Sequence, residues 1–151
     1  MSNTVQFYSA SGPFGELSNF ARVSIFLDGK RWPTSEHYFQ AQKFTDARYK
    51  ERIRRTEKPM EAANLGRSRK VPLRKDWESV KVEVMRKAVR AKFTQHRELK
   101  ELLLSTGEAK LVEHTSRDPY WGDGGDGSGK NMLGRILMEI RAGLNQPGTG
   151  D

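Results

Sequence analysis

Three polar side chains fall at helical spacing within one dense motif. Residues 32–44 read WPTSEHYFQAQKF, and Glu36, Gln40 and Lys43 occupy positions i, i+4 and i+7 of a predicted helix. These positions share one helix face, and Glu36 and Lys43 then lie ~10 Å apart along the axis. A carboxylate and an amine at that spacing can flank a sugar-sized group. The alternative is a solvated polar stripe with a capping glutamate.

A glycine-rich loop forms the second motif. Residues 118–131 read DPYWGDGGDGSGKN and precede a predicted helix. Such a loop can bring backbone N–H groups and a helix N-terminus close to a ligand, with Tyr120 and Trp121 as stacking surfaces. Asp118, Asp123 and Asp126 can bond ribose hydroxyls or act as a base. We therefore predict ligand contact here rather than a purely structural loop.

Part of this loop matches a P-loop only superficially. Residues 124–130 fit G-x-x-x-x-G-K, but Asn131 replaces the Ser or Thr that would hold magnesium. Asp126 would also place a negative charge where phosphate oxygens lie, and no hydrophobic strand precedes the motif. The sequence therefore argues against a nucleotide triphosphatase.

The positive charge of the chain is concentrated in one segment. Arg48–Lys75 holds eleven Lys and Arg residues against three Glu, which accounts for the whole net charge of +8. A basic block beside a neutral remainder indicates a phosphate-bearing partner, a nucleotide or nucleic acid, and a solvated surface helix is the alternative that charge alone leaves open. Within it, Arg67 and Arg69 follow Gly66 and can clamp a phosphate.

Composition excludes several other classes. The 151 residues include no cysteine and three scattered histidines, so thiolate nucleophiles, disulfides and Cys-based metal centres are excluded and a metal site is not expected. No apolar run of ~18 residues is present, and the first ten residues lack the features of a signal peptide. We expect a soluble cytoplasmic protein with no membrane partner.

The positions of turn and cap residues divide the chain into predicted helices and strands and indicate an α+β fold. Asp28-Gly29 between two β-prone runs indicates a hairpin, and Thr34 or Ser35 caps a helix running to about Phe44. The other expected elements are strands at 5–9 and 111–114 and helices at 47–55, 59–65 (stopped by Gly66), from 76, at 98–104 and at 132–144. The result is one predominantly helical domain at 5–145 with a small antiparallel sheet, an N-terminal tail at 1–4 and a frayed tail at 146–151.

The motifs together resemble the YbiA-like family, also called NADAR. They are FGELSNF at 14–20, WPTSEHYFQAQKF at 32–44, GRSR at 66–69, LVEH at 111–114, YWGDGG at 120–125 and GKNMLG at 129–134, and the resemblance spans roughly residues 5 to 144. It implies an N-glycosidase that cleaves a ribose C1′–N bond without a cofactor. Two substrate classes follow from it: early ribosylamino-pyrimidine intermediates of riboflavin biosynthesis, and ADP-ribose on the amino group of guanine in nucleic acid.

The resemblance also implies roles for individual residues. Glu36 becomes the leading acid or base, and Lys43 its partner, either as an acid or as an amine that attacks C1′ to form a Schiff base. Asp123 holds ribose hydroxyls or orients water. The implied substrate-binding residues are Asn19, Phe20, Tyr38, Arg67, Arg69, Trp77, Trp121, Gly122, Gly124 and Asn131.

Two other hypotheses remain open from the sequence. The partner is an ADP-ribose or 5′-phosphoribosylamine ligand in either substrate class, and ADP-ribosylated DNA or RNA would add contacts through Arg48–Lys75. A non-catalytic module that binds ADP-ribose or nucleic acid is the main alternative. Glu36 disfavours it, because a carboxylate repels a phosphate-rich ligand. A purely structural partner protein fits least well.

Overall fold

The structure is a computed structural model that describes residues 3–145. The predicted C-terminal tail lies outside these residues, whereas Thr4 of the predicted N-terminal tail already belongs to a strand. The elements in chain order are β1 (Thr4–Phe7), β2 (Ile25–Leu27), β3 (Lys30–Trp32), α1 (Ser35–Ala41), α2 (Ala47–Arg54), α3 (Pro59–Arg67), α4 (Trp77–Gln95), α5 (Arg97–Ser105), β4 (Lys110–Glu113) and α6 (Met132–Leu144). This arrangement confirms the α+β class.

The chain divides into two compact units. Among the described residues, the central unit comprises 22–92, and the terminal unit combines 3–21 with 93–145. The central unit holds the hairpin and α1 to α3, with most of α4. The terminal unit holds β1, β4, α5 and α6. Among residues 3–145, no helix combines the length and the apolar composition that a bilayer span requires.

The predicted hairpin is present in the central unit. β2 and β3 pair antiparallel, with Ile25 opposite Trp32, and the turn residues Asp28 and Gly29 have φ values of 53° and 77°. Positive φ at both central positions is the geometry that lets a two-residue turn follow the twist of the strands. Asp28 and Gly29 tolerate that geometry, which is why the sequence signal was reliable.

Helix α1 begins where its cap predicts but ends earlier than expected. The Thr34 hydroxyl accepts a hydrogen bond from the His37 N–H at 3.1 Å, as an N-cap does. At the other end, the N–H groups of Lys43 and Phe44 bond carbonyls three residues back instead of four. This tightening ends the helix at Ala41, so the prediction of a helix to Phe44 is wrong and Lys43 lies beyond it.

Gly66 does not stop a helix, contrary to the prediction. It lies inside α3, which continues to Arg67. A Cβ at this position would overlap the Oε1 atom of Gln40, because α1 and α3 approach each other closely here. The glycine is therefore required by the packing of two helices rather than by a left-handed C-terminal residue.

Aromatic side chains form much of the core of the central unit. Trp32 meets Tyr38 edge to face with ring centroids 5.3 Å apart, and Phe44 meets Tyr49 at 4.7 Å. All four side chains are buried, as is Ile53 of α2. Such edge contacts contribute beyond the apolar area they bury, so α1 and α2 are held firmly around this cluster.

The terminal unit is built on a parallel pair of strands. β1 and β4 pair with Thr4 opposite Lys110 and Phe7 opposite Glu113. The prediction of an antiparallel sheet is therefore wrong for this pair. A short turn forces antiparallel pairing, but most of the chain separates β1 from β4, so their direction was not constrained. Helix α6 packs on β4, with Leu133, Ile136 and Leu137 buried.

Candidate active site

Glu36 lies in the first turn of α1 in a nearly buried position. Its side chain is 8% exposed, and its Oε2 atom accepts a hydrogen bond of 2.6 Å from Gln40 Nε2. The first turn of a helix favours negative charge because unpaired N–H groups point toward it. A carboxylate that is removed from bulk water and bonded to Gln40 is suited to proton transfer.

Lys43 lies just beyond the end of α1, and its amine is partly desolvated. The pKa of Lys43 is lowered from 10.5 to about 8: burial is the largest cause, Glu36 opposes it, and the positive charges of Arg69, Arg67 and Lys81 add to it. Its Nζ atom stands 5.7 Å from the centroid of the Phe39 ring. The neutral amine, which a nucleophile requires, is therefore accessible near neutral pH.

Gln40 connects this pair to α3. Its Nε2 atom donates to Glu36, while its Oε1 atom is buried against Gly66 with no hydrogen-bond partner. An unpaired buried acceptor costs free energy, so its retention indicates that the orientation of Gln40 matters. The sequence signal for this contact is Gly66 itself, which was interpreted as the end of a helix rather than as a packing position.

Two predicted substrate contacts support α1 from the core. Trp77 is 5% exposed and packs against Phe39 with centroids 5.2 Å apart. Tyr38 is fully buried, and its hydroxyl donates to Asp28 Oδ2 at 2.7 Å. Both side chains are occupied inside the protein, so the structure gives them supporting roles, whereas direct contact with substrate stays a prediction.

The two predicted phosphate ligands lie at the end of α3. Arg67 is the last residue of the helix and is exposed, and Arg69 donates to the carbonyl oxygens of Gly66 at 2.8 Å and Ser68 at 3.0 Å. Part of the Arg69 guanidinium therefore caps α3. Both charges act on Lys43, so the structure brings together in the central unit Glu36, Lys43, Arg67 and Arg69.

Asp123, in the terminal unit, is held by three donors. Its Oδ2 atom is 2.7 Å from His114 Nδ1, and its Oδ1 atom accepts from the N–H groups of Thr115 at 3.0 Å and Gly125 at 2.9 Å. Burial would raise the pKa of Asp123, but these hydrogen bonds outweigh it and the pKa lies below the usual value. Asp123 is therefore ionised at neutral pH and fixes the His114 ring.

The pairing of His114 with Asp123 was missed in the sequence. The motifs contain both residues but do not connect them, and 47% of the His114 side chain is exposed. A buried carboxylate that bonds one ring nitrogen of an exposed imidazole orients the other nitrogen. The nine-residue separation carries no helical or strand period, so only the folded loop reveals this pair.

The backbone of the glycine-rich loop is largely bonded within the protein. Donors from Gly129 to Leu133 reach loop carbonyls, including Asn131 N–H to Gly122 O at 2.9 Å and Leu133 N–H to Trp121 O at 3.0 Å. The first turn of α6 is thus capped by the loop itself. The N–H groups of Asn131 and Leu133 are therefore not free to bind a ligand. This argues against the prediction that the N-terminus of α6 contacts a ligand through them.

Several residues predicted to bind substrate build this loop. The Asn131 side chain accepts from the Glu113 N–H at 3.0 Å and donates to the Leu111 carbonyl at 2.9 Å. A Cβ at Gly122 would meet Thr115 and Glu113, and Gly124 has a φ of 74°. Direct substrate contact by Gly122, Gly124 or Asn131 stays a prediction.

Three further predicted ligands also belong to the terminal unit. Trp121 is half-buried and meets Tyr120 edge to face at 4.9 Å. Asn19 is buried, Phe20 is half-buried, and the Phe20 N–H donates to the Ser18 hydroxyl at 3.1 Å. These side chains stay predicted contacts.

Comparison with known proteins assigns the chain to a class. Residues 6–145 match the NADAR domain, and the chain belongs to that family. It is 65% identical over 137 residues to N-glycosidase YbiA of Escherichia coli (strain K12), covering 91% of this chain and 86% of that protein. The solved NMR structure of E. coli YbiA covers 95% of this chain and 86% of that chain, with a TM-score of 0.88 and 63% identity. The resemblance and the fold are thereby confirmed.

A second relative is longer. A riboflavin biosynthesis protein of Vibrio vulnificus (strain YJ016) is 47% identical over 146 residues, which cover 97% of this chain but 40% of that protein. The matched part of that protein is therefore one portion of a larger chain.

Proposed function

We propose that this chain, an N-glycosidase by its family and its 65% identity to N-glycosidase YbiA, hydrolyses the C1′–N bond of 5′-phosphorylated ribosylamines. The observation that carries the proposal is the pairing of a nearly buried carboxylate, Glu36, with Lys43, whose pKa is lowered to about 8. A non-catalytic module that only binds ADP-ribose would need neither a buried carboxylate nor a lysine with a lowered pKa. Catalysis therefore explains the central unit better than binding alone.

The chemistry of a ribosylamine suits these two groups. The lone pair of the substrate nitrogen expels the ring oxygen, which takes a proton from Glu36, and an open-chain iminium forms at C1′. Neutral Lys43 then adds to C1′ and the base leaves as a free amine, so a lysine imine replaces the substrate imine. Water hydrolyses that imine and restores Lys43.

Direct attack of water on C1′ is the competing route. Glu36 would then act as the base, and Lys43 would supply positive charge. The lowered pKa of Lys43 favours the imine route, because a lysine retained for its charge would not be desolvated.

Two leaving groups are consistent with the proposal. The riboflavin biosynthesis protein of Vibrio vulnificus supports ribosylamino-pyrimidine intermediates. The basic segment Arg48–Lys75 supports ADP-ribose attached to the amino group of guanine in nucleic acid. In both, a 5′-phosphate lies beyond the ribose, where Arg67 and Arg69 can bind it.

The decisive experiment offers the purified protein both substrates and measures release of the base and the sugar phosphate. We expect turnover of the pyrimidine ribosylamine, of guanine-modified oligonucleotide, or of both. Oligonucleotide modified with ADP-ribose on thymine should remain intact, because it has no exocyclic amine link. Equal turnover of the guanine and thymine conjugates, or of none of the three substrates, would contradict the proposal.

A salt titration tests whether the protein contacts a nucleic-acid substrate through more phosphates than it contacts in free ADP-ribose. Part of the basic segment is neutralised, since Arg54 and Arg55 pair with Glu51, and Arg74 pairs with Asp76. Arg48, Arg52 and Lys75 are exposed. If they contact phosphates, affinity for modified oligonucleotide should fall steeply with salt while free ADP-ribose binding falls much less.

A charge-matched control sharpens this titration. Replacing Arg48, Arg52 and Lys75 together by Gln should flatten the salt slope, whereas the same change at Arg31, Lys100 and Arg117 should leave it steep. Parallel slopes for oligonucleotide and free ADP-ribose in the unmodified protein would show that the segment is only a solvated surface.

A further inference from the structure

The structure assigns a second anion site, and we propose that a groove in the terminal unit binds a compact polyphosphate, such as the diphosphate group of a nucleotide. The groove has a volume of about 390 Å³, within the usual range for small-molecule sites. The polar side chains that line it belong to Thr4, Gln6, Lys110, Asp123, Lys130, Asn131 and Arg135. Neither Glu36 nor Lys43 belongs to this unit.

Three cations line the groove from three different elements. Lys110 begins β4, Lys130 ends the glycine-rich loop, and Arg135 lies in the first turns of α6. Their convergence on one groove is a product of the fold, because no two of them belong to the same element.

The backbone of each cation is fixed. The N–H groups of Lys110, Lys130 and Arg135 donate to the carbonyls of Asn3, Pro119 and Asn131 at 2.7, 2.8 and 3.0 Å. Lys130 is also placed by the Tyr120 ring, 5.6 Å from its Nζ atom. Cations on a fixed backbone lose less entropy when they bind an anion, which favours a specific site over a diffuse positive surface.

The lining carries a net positive charge. Among the described lining residues, Asp123 is the only carboxylate, and both of its oxygens are already bonded to His114, Thr115 and Gly125. The groove therefore presents three cations against one carboxylate, a net charge of +2. A diphosphate matches that charge, and an arginine with two lysines can bind its oxygens through charge-assisted hydrogen bonds.

The lining favours a small polyphosphate over a nucleic-acid strand. Proteins that bind single strands stack bases on aromatic rings, and no aromatic side chain is among the described lining residues. Val112 and Met138 supply a limited apolar floor. The recognised group is thus the polyphosphate itself, with Thr4 and Gln6 available to bond its outer oxygens.

Isothermal titration of the full-length protein with inorganic pyrophosphate tests this site. We expect saturable binding that weakens by about tenfold or more when Lys110, Lys130 and Arg135 are all replaced by Gln. All three side chains are exposed, so the variant should fold, and circular dichroism checks that it does. Orthophosphate, with one phosphate group, should bind more weakly than pyrophosphate.

A second variant removes the same charge elsewhere. Replacing Arg31, Lys100 and Arg117 by Gln should leave pyrophosphate affinity within about twofold. Equal weakening in both variants would show attraction to net charge only and overturn the proposal. So would an absence of saturable pyrophosphate binding, or a groove that binds a short oligothymidylate but not pyrophosphate. Because pyrophosphate binding is measured without turnover, its failure leaves the proposed N-glycosidase reaction untouched.

Discussion

The helix that carries Glu36 and the loop that carries Asp123 differ in how fully their polar groups are hydrogen-bonded. In the loop, Asp123 accepts three hydrogen bonds and the neighbouring backbone donors are bonded to carbonyls. In α1, Gln40 has a buried oxygen without a hydrogen-bond partner, and just beyond the helix the pKa of Lys43 is lowered to about 8. The polar groups of the loop are stabilised by hydrogen bonds, whereas the polar groups around α1 are buried with a cost in free energy that is not fully offset.

This difference separates structural from reactive polar residues better than residue type does. Both regions are rich in residues that can do chemistry, and the loop looks the more functional of the two as a sequence. Yet saturation with hydrogen bonds stabilises a charge where it is, while desolvation with few partners makes a charge easy to move. The predictions below test that distinction.

Loss of Lys43 should have the largest effect. Lys43→Ala removes the proposed nucleophile, so we expect no measurable turnover. Borohydride added during the reaction should trap the sugar phosphate on the wild-type protein, as seen by mass spectrometry, and not on Lys43→Ala. Lys50→Ala is the matched control, since burial also lowers the pKa of Lys50, and it should retain the adduct.

Two outcomes of this experiment would change the assignment. Full activity of Lys43→Ala would return Lys43 to a structural role. Lost activity without any trapped adduct in the wild type would keep Lys43 in the site but remove the Schiff-base step, and water attack would be preferred.

Glu36→Gln should lower kcat by about 10²–10⁴-fold, because it removes a general acid or base while preserving shape. Substrate binding should persist or improve, since a charge that repels phosphate is lost. Steady-state kinetics that separate kcat from KM measure both effects. An unchanged kcat would mean that the carboxylate serves only as an N-terminal helix charge.

In Glu36→Gln, which removes the other titrating group of the mechanism, the pH dependence of kcat reports the state of Lys43. The neutral amine is the active form, so the residual kcat of this variant should rise by about tenfold per pH unit below the pKa of Lys43 and level off above it. Arg69→Gln removes a charge that lowers the pKa of Lys43, so the pKa should rise and the profile should move to higher pH. A flat profile from pH 6 to 9 would contradict the amine mechanism.

In the loop, Asp123→Asn should act mainly on stability. The substitution removes the negative charge and replaces one carboxylate oxygen with an NH2 group. At least one group that donates to Asp123 then loses its acceptor, which should lower the free energy of unfolding by ~1–3 kcal/mol. Asp126→Asn is the control, because Asp126 is exposed and bonds only Ser128, and its effect should stay within about 0.5 kcal/mol. Equal urea midpoints for the two variants would show that the Asp123 network is not structural.

The smallest effect is expected at Gly66. Gly66→Ala forces a Cβ into Gln40 Oε1, and because the side-chain end of Gln40 can move, the cost should be ~1 kcal/mol. The displaced Gln40 should lower kcat as well. Gly143→Ala, in open space on α6, should be neutral or stabilising by roughly 0.5–1 kcal/mol and leave kcat unchanged. The reverse order would refute the close approach of α1 and α3.

Local rules predicted the features that short-range chemistry controls. The Asp28-Gly29 turn and the Thr34 cap are satisfied within a few residues, and both are present. Trp77, Ala88 and Ala91, which recur at helical spacing on α4, are also buried. Motif recognition identified the family from the same printed residues, and the comparisons confirm it.

What the amino-acid sequence determined alone is thus the element types, the family and the residues able to do chemistry. Tertiary structure decided the early end of α1, the parallel pairing of β1 with β4, the packing role of Gly66 and the bond between His114 and Asp123. It also decided which charges are tuned, because the pKa of Lys43 depends on burial and on arginines two dozen residues away. Hydrogen-bond and helix rules act over one turn, whereas desolvation and Coulomb energy depend on distance in space, which the sequence does not contain.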